Sequence, residues 1–259
     1  LTAEVLRRFD VVNRGFSGYN TSNALSVLPK VFAPPGPGVP ELKYLVSSSM
    51  PHGSWGAELT LGDQFILFGA NDAAVPLPTN FQHVPLDKYK ANLTRIVNHP
   101  IITSHKPKIF IVTPPPLDQI RVTVLDMEHG HPAAARQTKV SAAYSEAARQ
   151  VAAENAGVTL IDLHKALMYR AIEMTPGFDP KGPALGDPEG GIRGYLEHLL
   201  PDGLHLSAES YRIFYDLVRP HIDVNPPSRE NQDRTGWVLP DWREAPWLEE
   251  DSHLKGKSV

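Results

Sequence analysis

Cysteine is absent from all 259 residues. Disulfides, thiolate catalysis and cysteine-ligated zinc or iron–sulfur centres are therefore excluded. An excess of one charge is also lacking: 25 Lys and Arg stand against 29 Asp and Glu, a formal net charge of −4. That balance carries no footprint of nucleic acid or an anionic membrane as partner. No apolar run reaches the length of a membrane span. Neither G-x-G-x-x-G nor G-x-x-x-x-G-K-[ST] occurs, so the phosphate-binding loops of nucleotide-dependent α/β proteins are missing. The opening LTAEVLRRFD has no charged start followed by an apolar stretch, so no signal peptide is read there. The default expectation is a cytoplasmic protein. The same residues read as mid-helix with no initiator methionine, which leads us to expect a true start upstream.

What is present reads as an ordinary folded domain, 41% hydrophobic and 21% charged. Short apolar runs end in loop signals and alternate with helical spacing. FDVVNRG (9–15), ELKYLV (41–46), QFILFG (64–69), KIFIVTPPP (108–116) and GVTLIDL (157–163) read as buried strands. Such near-continuous apolar strands belong to a parallel sheet covered on both faces. DKYKANLTRIVNHPI, TKVSAAYSEAARQVAAENAG and SAESYRIFYDLVRPHI read as helices, the second capped by Gly157 and the third opened by Ser207. The expected fold is a three-layer α/β/α domain around a parallel sheet, spanning residues 1–222. Residues 223–259 turn rich in proline and charge and read as a surface tail, docked in places by Trp237, Trp242 and Trp247.

In open parallel sheets, reactive groups gather at the carboxyl ends of strands. Three loops there carry polar residues: GFSGYNT (15–21), FGANDA (68–73) and PDGLHLS (201–207). Ser17 invites comparison with the nucleophile turn G-x-S-x-G. However, Gly15-Phe16-Ser17-Gly18-Tyr19 brings the second glycine one residue early. Ser17 therefore reads as a loop serine beside a tight turn. His129–His131, with Glu128 beside them, offer metal-binding side chains. Adjacent loop residues point apart and no further ligands accompany them, so the stretch reads as loop and no metal is expected.

Taken together, in their order, spacing and strand context, FDVVNRGFSGYNT, LFGANDA, IFIVTPPP, PDGLHLS and DWREAP resemble the SGNH (GDSL-type) hydrolases. Among these they look closest to the isoamyl-acetate-hydrolysing esterases. The resemblance covers most of the chain. It implies a flavodoxin-like fold and a serine esterase that cleaves small, short-chain acetate-type esters through an acyl-enzyme, with no cofactor. It assigns Gly18 the backbone N–H of the oxyanion hole and Asn71 the side-chain donor. Acyl transfer builds negative charge on the carbonyl oxygen, so such donors must be fixed in advance. A glycine leaves its N–H open to close approach. His205 is matched to the general base and Asp202 to the carboxylate that orients it. Asp72 is left a role in loop structure.

The family's first block, a Gly-Asp-Ser ending the first strand, belongs before FDVVNRG, yet Gly-Asp-Ser occurs nowhere in the chain. The nearest strings, GDQ (62–64) and GDP (186–188), lack the serine. The expectation is a truncated esterase with base and orienter but no identified nucleophile, inactive as written. The alternative is a non-catalytic protein of the same fold that binds a small ligand or a partner. The missing strand lies inside the family's sheet, so the chain is expected to be unstable unless another segment fills the slot. VSSSMPHGSWGAELTLGDQ (46–64) also interrupts what the family runs as one strand. On one reading it is a translated intron, whose removal joins ELKYL to FILFGAND. On the other it is a real insertion that lets ELKYLV take the vacant slot and puts Ser47, Ser48 and Ser49 near the nucleophile's place. DMEHGHPAAARQT (126–138) is placed to carry part of a substrate pocket or a lid.

Overall fold

The computed structural model describes residues 17–37, 39, 44–45, 47–48 and 64–222. The expected strand at 9–15, Ser49 and the tail 223–259 lie outside the described residues. The elements run α1 (Thr21–Val31), β1 (Tyr44–Leu45), β2 (Ser47–Ser48), β3 (Gln64–Leu67), α2 (Leu86–Val97), α3 (Pro100–Thr103) and β4 (Lys108–Val112). They continue with α4 (Gln119–Glu128), α5 (Thr138–Glu154), β5 (Val158–Ile161), α6 (Leu163–Glu173), α7 (Leu196–Leu199) and α8 (Ala208–Val218).

Strand β4 explains the layering. Successive side chains of a strand point to opposite faces, so an apolar run feeds two cores. Ile109 and Ile111 pack with Tyr89 and Leu93 of α2 and Tyr144, Ala148 and Val151 of α5. Phe110 and Val112 pack on the other face with Leu163 and Leu167 of α6, Leu199 of α7 and Val218 of α8. The result is the expected three-layer α/β/α arrangement. The alanine spacing of α5 serves this directly: Tyr144, Ala147, Ala148, Val151 and Ala152 form one buried stripe.

The sheet runs in the order β2-β3-β1-β4-β5. β3, β4 and β5 are parallel, with Phe65, Ile66 and Leu67 opposite Phe110, Ile111 and Val112. β1 extends the same edge of β4, Tyr44 opposite Lys108 and Leu45 opposite Ile109, and Leu45 meets Gln64 in a single antiparallel pair. Tyr44–Leu45 and Phe65–Leu67 thus occupy successive register positions along one strand. β2 pairs parallel with the outer edge of β3, Ser47 opposite Ile66 and Ser48 opposite Leu67. It is therefore Ser47–Ser48, and not Tyr44–Leu45, that lies along that edge.

Helices α1, α4, α6 and α7 were not anticipated from the sequence. Two of them start on an aspartate just beyond a strand, Asp118 capping α4 and Asp162 capping α6. The end of α5 corrects one expectation. Asn155, in extended conformation, is its C-cap, and Gly157, at φ +82°, turns the chain into β5. Ser207 does cap α8, its hydroxyl accepting from the Ser210 N–H at 3.2 Å. Among the described residues no helix is long and apolar enough to cross a membrane.

Candidate active site

The PDGLHLS loop is pinned to the start of α4 through Gly203. Its carbonyl accepts from Asp118 N–H at 2.9 Å, just beyond the carboxyl end of β4. At φ +87°, a Cβ on Gly203 would stand 2.7 Å from the Asp118 carbonyl oxygen, so only glycine fits. Asp118 is itself buried and held by Arg193 Nε at 2.6 Å. On this footing Asp202 and His205 face each other. Asp202 Oδ2 bonds His205 Nδ1, and Oδ1 accepts the backbone N–H groups of Leu204 at 2.9 Å and His205 at 2.7 Å. A carboxylate at Nδ1 fixes that nitrogen as the donor, so the neutral ring carries its basic lone pair on Nε2. Burial would raise the Asp202 carboxyl, but the bonds from the His205 ring and the two backbone N–H groups outweigh it. They hold the carboxyl well below the usual carboxylate range.

The GFSGYNT and GANDA loops form a second group. Gly18 sits at φ +78° and Ser17 beside it is exposed. Asn71, fully buried, donates from Nδ2 to the Tyr19 carbonyl at 2.9 Å. Asp72, also fully buried, accepts from Thr21 N–H at 2.9 Å and from Thr21 Oγ1 at 2.5 Å. It therefore ties the start of α1 to the end of β3, the loop role expected of it. Its Oδ2 is the one buried side-chain polar atom without a partner among the described residues, and burial raises its carboxyl.

Sequence reasoning missed Gln82 and Arg136. Arg136 is buried and donates from Nε to the Ala70 carbonyl at 2.9 Å and from Nη2 to Asn71 Oδ1 at 3.0 Å. The segment 126–138 therefore brings an arginine to the GANDA loop. Gln82 donates from Nε2 to the Gly18 carbonyl at 3.0 Å. Nothing in the local sequence marks either residue, because the partners that tie their side chains to Gly18 and the GANDA loop lie more than fifty positions away. His131, part of the set-aside metal reading, shares a 2.7 Å bond with Thr79 Oγ1. Among the described residues no three His, Asp or Glu side chains gather as a metal site.

The fold and these side chains define a three-layer α/β protein with a carboxylate–imidazole pair and a glycine–asparagine pair on loops beyond its strands. The chain belongs to the GDSL-like Lipase/Acylhydrolase family, whose model matches residues 1–213. It is similar to a GDSL esterase/lipase of Arabidopsis thaliana, 31% identical over 221 residues, covering 83% of this chain and 74% of the relative. It is also similar to the isoamyl acetate-hydrolyzing esterase 1 homolog of Mus musculus, 28% identical over 257 residues, covering 99% of this chain and 83% of the relative. A solved protein from Streptococcus pneumonia, described as a candidate platelet activating factor, shares the fold. Its TM-score is 0.52 with 16% identity, over 82% of this chain and 72% of that one.

Proposed function

We propose that this chain carries the base and oxyanion apparatus of an esterase for small, short-chain acetate-type esters. The observation that carries the reading is the Asp202–His205 pair: a carboxylate on Nδ1 leaves Nε2 as the base. In this reading His205 takes the proton of a serine hydroxyl as that oxygen attacks the ester carbonyl, then returns it to the leaving alcohol. The Gly18 N–H and the Asn71 amide receive the negative oxygen. Similarity to proteins named as an isoamyl acetate-hydrolyzing esterase and its homologs supports the choice of acetate-type substrate. The unit is residues 1–222, with 223–259 as a tail, and a polypeptide of these 259 residues alone does not turn over ester, since no Gly-Asp-Ser is among them.

The test is a chain extended before Leu1 by a strand ending in Gly-Asp-Ser, assayed on p-nitrophenyl acetate, butyrate and octanoate. The expected result is turnover fastest on acetate, abolished by His205→Ala. Turnover indifferent to His205→Ala overturns the reading.

A second reading is favoured by one observation, the parallel pairing of Ser47–Ser48 with Ile66–Leu67, the strand that leads into GANDA. There a serine of the 47–49 run supplies the nucleophile, and the unextended chain is active. Without either nucleophile, the chain is a non-catalytic protein that binds small acyl compounds.

A further inference from the structure

Two donors serve one oxyanion only if neither can drift. A closed ring of hydrogen bonds joins them here. The Gly18 carbonyl accepts from Gln82 Nε2 at 3.0 Å, and Gln82 Oε1 accepts from Arg136 Nη2 at 2.9 Å. The same Nη2 donates to Asn71 Oδ1 at 3.0 Å, and Asn71 Nδ2 donates to the Tyr19 carbonyl at 2.9 Å, one peptide beyond Gly18. We propose that Arg136 and Gln82 are positioning residues of the oxyanion hole, locking the Gly18 turn and the Asn71 amide into one unit whose donor strength is raised by the guanidinium charge. This rests on Gly18 and Asn71 being the oxyanion donors.

Three features give the ring this role and not that of a simple tether. First, it fixes which way the Asn71 amide points. Arginine can only donate and a carbonyl can only accept, so Oδ1 must face Arg136 and Nδ2 must face Tyr19. Second, Tyr19 takes one hydrogen of an NH2 group that carries two, which leaves the other for a substrate oxygen. Third, Arg136, at 8% exposure, gives its N–H groups to Ala70, Asn71 and Gln82 oxygens, not to a carboxylate. Its hydrogen bonds go to neutral acceptors, the Asp126 carboxylate acting on it through space only, and in a buried setting it polarises the Asn71 amide along the hydrogen-bond chain. Gln82 is held in turn from both sides. Asn20 Nδ2 donates to its carbonyl at 2.9 Å, and its own N–H donates to Asn80 Oδ1 at 2.9 Å.

The test needs no turnover. Acetate, the product anion, presents its carboxylate oxygen to the same donors. The 15N-labelled chain is titrated with sodium acetate against a sodium chloride control, following the Gly18 N–H and the Asn71 side-chain amide by NMR. The β4 and β5 amides report on the fold. Acetate is expected to shift both probes. Arg136→Met and Gln82→Ala are each expected to weaken acetate about tenfold, the loss of one charge-assisted or network bond. Both are also expected to speed hydrogen exchange at Gly18 with β4 and β5 unmoved. Arg136→Lys, which keeps the charge but not the fork, recovers part of the affinity. Should Arg136→Met perturb β4 and β5, Gln82→Ala on its surface loop decides. Full acetate affinity in Gln82→Ala, with loss in Asn71→Ala, overturns the ring and leaves the oxyanion reading intact. No acetate response in the unsubstituted chain, or none lost in Asn71→Ala, overturns the oxyanion reading and the ring with it.

Discussion

Asp202 holds His205 twice, at the ring through Nδ1 and at the backbone through the His205 N–H. A residue three positions upstream can do both because Gly203, between them, takes a left-handed turn. The pair is therefore a local device, built from four consecutive residues and anchored to α4 by one carbonyl.

The Asp202 carboxyl is held below its ordinary range, which sets a pH signature. A carboxylate with a depressed folded pKa stabilises above its unfolded value and loses that contribution as pH falls through the folded one. Asp202→Asn is expected to lower the thermal midpoint at pH 7. The difference from the unsubstituted chain should hold from pH 7 down to about pH 4, where the unfolded carboxyl titrates, then narrow, and still be open at pH 3 because the folded carboxyl titrates lower still. Thermal melts from pH 7 to pH 3 measure it.

Gly203→Ala forces a Cβ to 2.7 Å from the Asp118 carbonyl at a φ that L side chains rarely adopt. Strain of this kind costs on the order of 1–3 kcal/mol. The expected outcome is a loss of that size in urea denaturation, together with a shifted His205 ring resonance.

Asp72→Ala leaves the Thr21 N–H and hydroxyl without their acceptor in a buried site. The expected loss is about 2–3 kcal/mol, from unsatisfied donors at the start of α1. Chemical denaturation reads the total, and hydrogen exchange should place the loss in α1.

Joining Leu45 directly to Phe65 by removing Val46–Gln64 should give one continuous strand along β4, since the two pieces already follow each other in register. Closing a loop of that length costs roughly 2–3 kcal/mol of chain entropy. The loss of the Ser47–Ser48 pairing offsets part of this. The shortened chain is expected to fold with a higher urea midpoint. A chain that no longer folds would assign 46–64 the job of completing the sheet.

Legibility in the sequence followed the range of the interactions. The β4 run KIFIV was readable because a doubly buried strand must be apolar throughout, and α5 because its stripe repeats within two turns. Asp202 and His205 were readable as neighbours in one short loop, and the resemblance supplied their roles. Arg136 was not readable: its segment looks like an alanine-rich loop, and only folding shows that its acceptors are Ala70, Asn71 and Gln82. Helix α4 was missed because its local signal was a capping aspartate and one buried residue, Val122, and α6 because its stripe, Leu163, Leu167 and Ala171, begins inside the run read as a strand to Leu163. The pairing of Ser47–Ser48 along β3 was not read, since ELKYLV was the stretch expected to fill a vacant slot and Ser47–Ser48 has no strand pattern of its own.

The most direct measurement is fluorophosphonate labelling of the purified 259-residue chain, with His205→Ala alongside and mass spectrometry to locate any adduct. The expected result is folded protein without an adduct, the proposed base and oxyanion donors standing with no serine to activate. A His205-dependent adduct on Ser17, or on any of Ser47–Ser49, would contradict it and make the chain a working esterase with a relocated nucleophile.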